Sequence, residues 1–185
     1  MSVLALLIPP RPRPPAPPVP PADDPASLEY DYVFSHDGLT VHTSGRSIPA
    51  LLPRADRVVA LLADADVAWH RITVPKAPAS KLRAALGGVM EDVLLEDEDD
   101  VHLALAPGAT AGQPAWVAAV HKPWLAGVLG ALDTVGLEVE RVAPSQVPGE
   151  AASGHFFVDE SRGHRLMLAL ADEERALTLA AAGSL

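Results

Sequence analysis

Residues 81–105 read KLRAALGGVMEDVLLEDEDDVHLAL, and the stretch carries three signals in succession: a helix, an acidic run and a strand. Leu82, Ala85, Leu86, Val89, Met90, Val93 and Leu94 recur at helical spacing. The spacing predicts one apolar stripe on a helix that begins near Pro78–Ser80 and runs to Leu95. Lys81, Arg83, Glu91 and Asp92 take the opposite face. Gly87-Gly88 in mid-helix costs on the order of 1 kcal/mol per glycine relative to alanine. The pair marks either a close approach of another backbone or plain compositional bias.

Glu91, Asp92, Glu96, Asp97, Glu98, Asp99 and Asp100 place seven of the 24 carboxylates in ten consecutive positions, and no Lys or Arg occurs from 84 to 121. They crowd the helix end that carries about −0.5 charge and favours cations. A basic partner would relieve that repulsion, and Leu94-Leu95 would supply an apolar anchor inside the charged rim. A charge run is otherwise a solvated face. A calcium loop would need spaced ligands and a turn glycine that the run lacks. The candidate partner-binding residues are Glu91, Asp92, Leu94, Leu95, Glu96, Asp97, Glu98, Asp99 and Asp100.

Toward the amino terminus, Val3–Ile8 reads as a buried strand. Ten of the 19 prolines then fall within residues 9–25, a segment that excludes helix and central strand. Residues 9–26 read as a stiff polyproline connector; their PxxP content also suits a docking ligand, but such proline-rich segments are far more often plain linkers. Alternation at Tyr30, Tyr32 and Phe34, then Asp37-Gly38, then alternation at Leu39, Val41 and Thr43 predicts a β-hairpin. Val58–Leu62 and Val67–Val74 suit strands covered on both faces. Downstream of the acidic run, Val101–Ala106 and Ala115–Val120 read as strands around the Pro107–Pro114 loop. A second helix follows with Pro123 in its first turn, Leu125, Val128, Leu129 and Leu132 as its stripe, and Gly136 as its C′ glycine. Leu137–Val142, Phe156–Asp159, Arg165–Ala171 and Ala176–Ala180 complete the strands.

Composition removes several classes of function. Fourteen Lys+Arg against 24 Asp+Glu give a net charge of −10, the wrong sign for broad electrostatic binding of nucleic acid or an anionic membrane. No cysteine is present, which excludes disulfides, thiolate zinc ligands, iron–sulfur clusters and a Cys nucleophile. No apolar run approaches the roughly 18 to 20 residues that span a bilayer. Neither glycine cluster leads into the Lys-Ser/Thr pair of a phosphate loop. The histidines, His36, His42, His70, His102, His121, His155 and His164, lack metal-ligand spacing and read as surface or satisfied positions. Ser145 lies in a turn, outside any nucleophile elbow. The residues assemble no catalytic, metal or cofactor site.

The order of the segments carries a resemblance. Tyr32 to Gly45, Ile48-Pro49-Ala50-Leu51-Leu52-Pro53, Val67 to Pro75 with Trp69, and Leu82 to Leu95 with Glu91-Asp92-Val93-Leu94-Leu95 look like the cytoplasmic region of the GspL family of type II secretion systems. So do Val101-His102-Leu103-Ala104-Leu105, Trp116-Val117-Ala118-Ala119-Val120, Trp124-Leu125 and Gly136 to Pro144. The resemblance covers about residues 28 to 148, and the Glu91–Leu95 and Val101–Leu105 blocks are its most specific parts.

The resemblance implies an α/β, actin-like (RNase H-like) mixed sheet flanked by helices, related to PilM and FtsA, with an inserted β-α-β-rich subdomain. On that reading residues 1–8 are the first strand and 9–26 the connector. Residues 27–148 are the first lobe, with the insertion at about 66–113 and a return to the first sheet from 115. Residues 149–185 open a second lobe, truncated before completion. The implied function is a non-catalytic inner-membrane-platform scaffold that recruits the GspE-type secretion ATPase through the ATPase's N-terminal domain. The implied partners are GspM and further copies of itself, with membrane attachment through a transmembrane segment absent from this chain. The implied place is the cytoplasmic side of the bacterial inner membrane. In nucleotide-binding relatives the turn after the first strand receives phosphate; here it is Pro9-Pro10-Arg11-Pro12, with few amide donors and no carboxylate. An actin-like ATPase or a PilM-like pilus scaffold is the competing reading.

Overall fold

The computed structural model describes residues 1–13, 28–149, 151–159 and 165–180. Most of the proline connector therefore lies outside the described residues. The chain divides into two compact units, Met1–Asp66 with His121–Ser145, and Val67–Val120 with Gln146–Leu185.

The first unit is built on a five-stranded sheet of order β3-β2-β1-β4-β8. Its strands are β1 (Val3–Ile8), β2 (Tyr30–Ser35), β3 (Thr43–Ser47), β4 (Arg57–Leu62) and β8 (Arg141–Pro144). β1 is central, antiparallel to β2 and parallel to β4, with Leu4 opposite both Phe34 and Val58. Leu4, Leu6 and Ile8 are fully buried, as period-2 alternation requires of a strand with one core face. At its start, Ser2 N donates to Asp56 Oδ2 at 2.7 Å and Asp56 N donates back to Ser2 Oγ at 2.9 Å. The Arg57 guanidinium forks onto Glu140 at 2.7 and 2.6 Å, joining the first residue of β4 to the approach of β8.

Two elements of this unit depart from expectation. The hairpin's second strand begins at Thr43 rather than Leu39. Asp37 Oδ1 accepts from Leu39 N and Thr40 N, both at 2.8 Å, and from Ser35 Oγ at 3.0 Å. Those bonds close residues 37–40 into a loop before pairing can start, and leave Leu39 90% exposed. Likewise β8 begins at Arg141 rather than Leu137. Helix α2 (Lys122–Thr134) ends in a Schellman arrangement, with Leu137 N donating to Leu132 O at 3.0 Å and Gly136 N to Asp133 O at 2.9 Å. Leu137 is thereby used to terminate the helix. Gly136 has φ 77°, as a C′ residue there must. Leu125, Val128 and Leu132 are the buried stripe of α2.

Among the described residues, the second unit contains two three-stranded sheets. One has order β5-β7-β6, from β5 (Ala68–Thr73), β6 (Val101–Leu105) and β7 (Pro114–His121). β7 was expected to rejoin the first sheet from residue 115; it pairs antiparallel with β5 instead, Trp69 opposite Ala118. Trp69 and Trp116 meet edge to face at 6.5 Å, a diagonal cross-strand pair. Helix α1 (Ala79–Met90) lies against β6. The other sheet is the meander β9 (Ser153–Asp159), β10 (Arg165–Ala171) and β11 (Ala176–Ala180), in order β11-β10-β9.

Two outcomes test this account. Gly136→Ala forces a Cβ into the left-handed region, at about 1 kcal/mol or more. It should lower the melting temperature by about 2–4 °C in a calorimetric scan of this length of chain. Asp37 carries a pKa held below the ordinary carboxylate range, first by the Thr40 and Leu39 backbone N–H groups and then by the Thr40 and Ser35 hydroxyls. A depressed folded pKa gives stability that is present above the unfolded value and lost as pH falls through the folded one. The melting-temperature gap between wild type and Asp37→Ala should therefore be full at pH 7 and narrow below about pH 4.

Candidate functional site

The acidic segment occupies the surface between α1 and β6. α1 ends at Met90, shorter than the stripe predicts, and Val93 N and Leu94 N both donate to Met90 O at 3.0 Å to close its last turn. Continuing the helix would stack further carboxylates on its negative end. The chain instead turns and makes a 3-10 turn at Glu98–Asp100. Asp97 Oδ1 accepts from Asp99 N at 3.2 Å, and Asp100 N donates to Asp97 O at 2.9 Å.

All seven carboxylate residues are exposed. Leu94 is half-buried, and Leu95 projects with 103% of its reference surface in water. The nine predicted residues thus form one continuous stretch of chain in which eight are exposed and Leu94 is half-buried. Among the described residues no group of three His, Asp or Glu side chains is placed to hold a metal.

The glycine pair receives a specific explanation. A Cβ built on Gly87 would fall 1.7 Å from Glu98 Oε1, whereas one on Gly88 meets nothing within 4 Å. The close neighbour is thus the Glu98 carboxyl group rather than another backbone, and Gly87 leaves the space in which it lies against the helix. Val89 and Val93, placed in the buried stripe by periodicity, are exposed.

A second polar cluster was not anticipated. At the carboxyl ends of the parallel strands β1 and β4, Arg11 N donates to Asp66 Oδ2 at 3.0 Å and the Arg13 guanidinium meets Asp66 Oδ1 at 3.1 Å. Arg13 also bonds the Ala65 carbonyl, and Ser145 Oγ bonds Asp64. The Asp66 side chain is 2% exposed. The turn after β1 lacks a carboxylate of its own, but the loop after β4 supplies one and engages its donors. Two aspartates just beyond a wholly apolar strand were the available sequence signal.

Residues 31–148 match the family described as Type II secretion system (T2SS), protein L. The type II secretion system protein L of Vibrio cholerae serotype O1 is 31% identical over 87 residues, 47% of this chain and 21% of that protein. The chain thus spans about a fifth of that curated relative's length. Among solved structures, the cytoplasmic domain of EpsL, an inner membrane component of the Vibrio cholerae type II secretion system, matches with TM-score 0.66 at 18% identity, over 97% of this chain and 71% of that one. A PilM–PilN type IV pilus biogenesis complex matches with TM-score 0.53 at 18% identity, over 96% of this chain and 61% of that one. The fold is the actin-like α/β one that the resemblance implies. No described helix is long and apolar enough to cross a membrane. With the family matched across most of its residues, the chain belongs to the protein L family and is a component of type II secretion systems.

Proposed function

We propose that this chain is a non-catalytic scaffold that holds the cytoplasmic secretion ATPase at the inner membrane. The ATPase's N-terminal domain would dock on the surface formed by Glu91, Asp92, Leu94, Leu95 and Glu96–Asp100. In the complete protein, GspM and a second copy would be further partners. The observation that carries the reading is the fully exposed Leu95 inside a run of exposed carboxylates with no Lys or Arg from 84 to 121. Such a surface matches a basic domain bearing an apolar socket, and complementary charge raises the encounter rate as well as the specificity.

The Asp66 cluster supports scaffold over ATPase. The turn following β1 contains Pro9, Pro10 and Pro12, which have no N–H, and the Arg11 amide is already donated to Asp66. A phosphate arriving there would meet a buried carboxylate rather than free donors.

Two measurements check the proposal. Reversal of Glu96, Asp97, Glu98 and Asp99 to Lys should weaken binding to the N-terminal domain of the cognate ATPase by at least about tenfold at low ionic strength, with the loss shrinking in salt. Unchanged affinity would reject the surface. Separately, 1 mM ATP with magnesium should leave the melting temperature where it was. A nucleotide site with a Kd of about 10 μM would instead add about 2.7 kcal/mol at that concentration, an upward shift of several degrees.

A further inference from the structure

His36 and His42 are separated in sequence by a spacing with no ligand signature, yet the β2–β3 hairpin returns one against the other. His36 follows the last residue of β2, and His42 precedes the first of β3, where His42 N donates to Phe34 O at 2.9 Å. The two ring centroids lie 4.2 Å apart, with the planes tilted by 59°. Buried Phe34 meets His36 edge to face at 4.9 Å and His42 at 6.2 Å. Both histidines are exposed, and among the described residues neither ring has a hydrogen bond or ion pair. A neutral imidazole offers one nitrogen lone pair, so two such acceptors stand together without a protein donor.

The intervening loop holds them there. Asp37 Oδ1 accepts from Leu39 N and Thr40 N, Asp37 Oδ2 accepts from Thr40 Oγ1 at 2.9 Å, and Gly38 N donates to Ser35 Oγ at 2.9 Å. The Asp37 carboxylate is thus committed to the turn. It supplies negative charge next in sequence to His36 rather than a further ligand.

The donor set selects the class of ion. Late first-row divalent cations bind neutral imidazole nitrogen at about 2.0–2.1 Å, whereas magnesium and calcium take oxygen. Once one ring has bound, the second meets the ion as an intramolecular ligand, at an effective concentration of roughly millimolar order. The closed loop and the Phe34 contacts have already ordered both rings, so little further entropy is lost.

We propose that His36 and His42 form a two-imidazole site for a late first-row divalent cation of the zinc and copper class, with water in the remaining coordination positions. The inference goes beyond ATPase docking and does not depend on it.

The test titrates the 185-residue chain with zinc chloride, following the melting temperature and the backbone amide NMR spectrum. Zinc at about 1 mM should raise the melting temperature and shift amide signals centred on residues 34–43. His36→Gln and His42→Gln should each weaken that binding about tenfold or more. Both positions are exposed, and each variant's amide spectrum shows whether the fold is kept. Magnesium at the same concentration should leave the 34–43 signals in place. His102→Gln, at an exposed position of β6 just after the acidic run, should leave zinc binding unchanged. Four outcomes would overturn the proposal: no zinc-dependent shift over 34–43, an equal response to magnesium, unchanged affinity in both hairpin variants, or loss of binding in His102→Gln.

Discussion

Every paired strand of the first unit takes its position from β1, which is hydrogen-bonded along both edges, antiparallel to β2 and parallel to β4. Three of its six side chains are fully buried, and its backbone groups find partners only if both neighbours are in register. A one-residue slip would turn Leu4, Leu6 and Ile8 to the opposite face. The Ser2–Asp56 exchange at one end of the strand and the Arg11–Asp66 bond beyond the other fix the register against such a slip. β4 carries the same constraint outward, since Val59 pairs with Arg141 and so places β8 after α2.

Much of this was legible because apolar pattern reports burial directly. Val3–Ile8, Arg165–Ala171, Ala176–Ala180 and the α2 stripe with its C′ glycine lie where periodicity puts them. Three of the misplacements share one cause, a local polar or backbone bond that outranks the pattern. Asp37 closes a loop over residues that alternate like a strand. The Schellman bonds of α2 take Leu137 from the following strand. The turn after Met90 releases Val93 from a stripe that fits the helical period. β7 illustrates a different limit, because an all-apolar strand does not encode which sheet it will join.

The proposed docking surface was legible in charge and illegible in shape. Seven carboxylates in ten positions announce repulsion wherever the chain folds, but their division between a helix end and a 3-10 turn depends on where α1 stops. The Glu98 carboxyl group against Gly87 joins residues eleven apart in sequence and turns an unfavourable helix residue into a fitted one. Leu95 gains its meaning from exposure, which follows from that same turn.

The Asp66 carboxylate has a consequence for ligand competition. A group tethered to its own donors acts at an effective concentration far above that of a dissolved metabolite. An anion from solution would have to displace a resident that never diffuses away. Among the described residues beyond β1, the Arg11 amide and the Arg13 guanidinium already hold such a tethered resident.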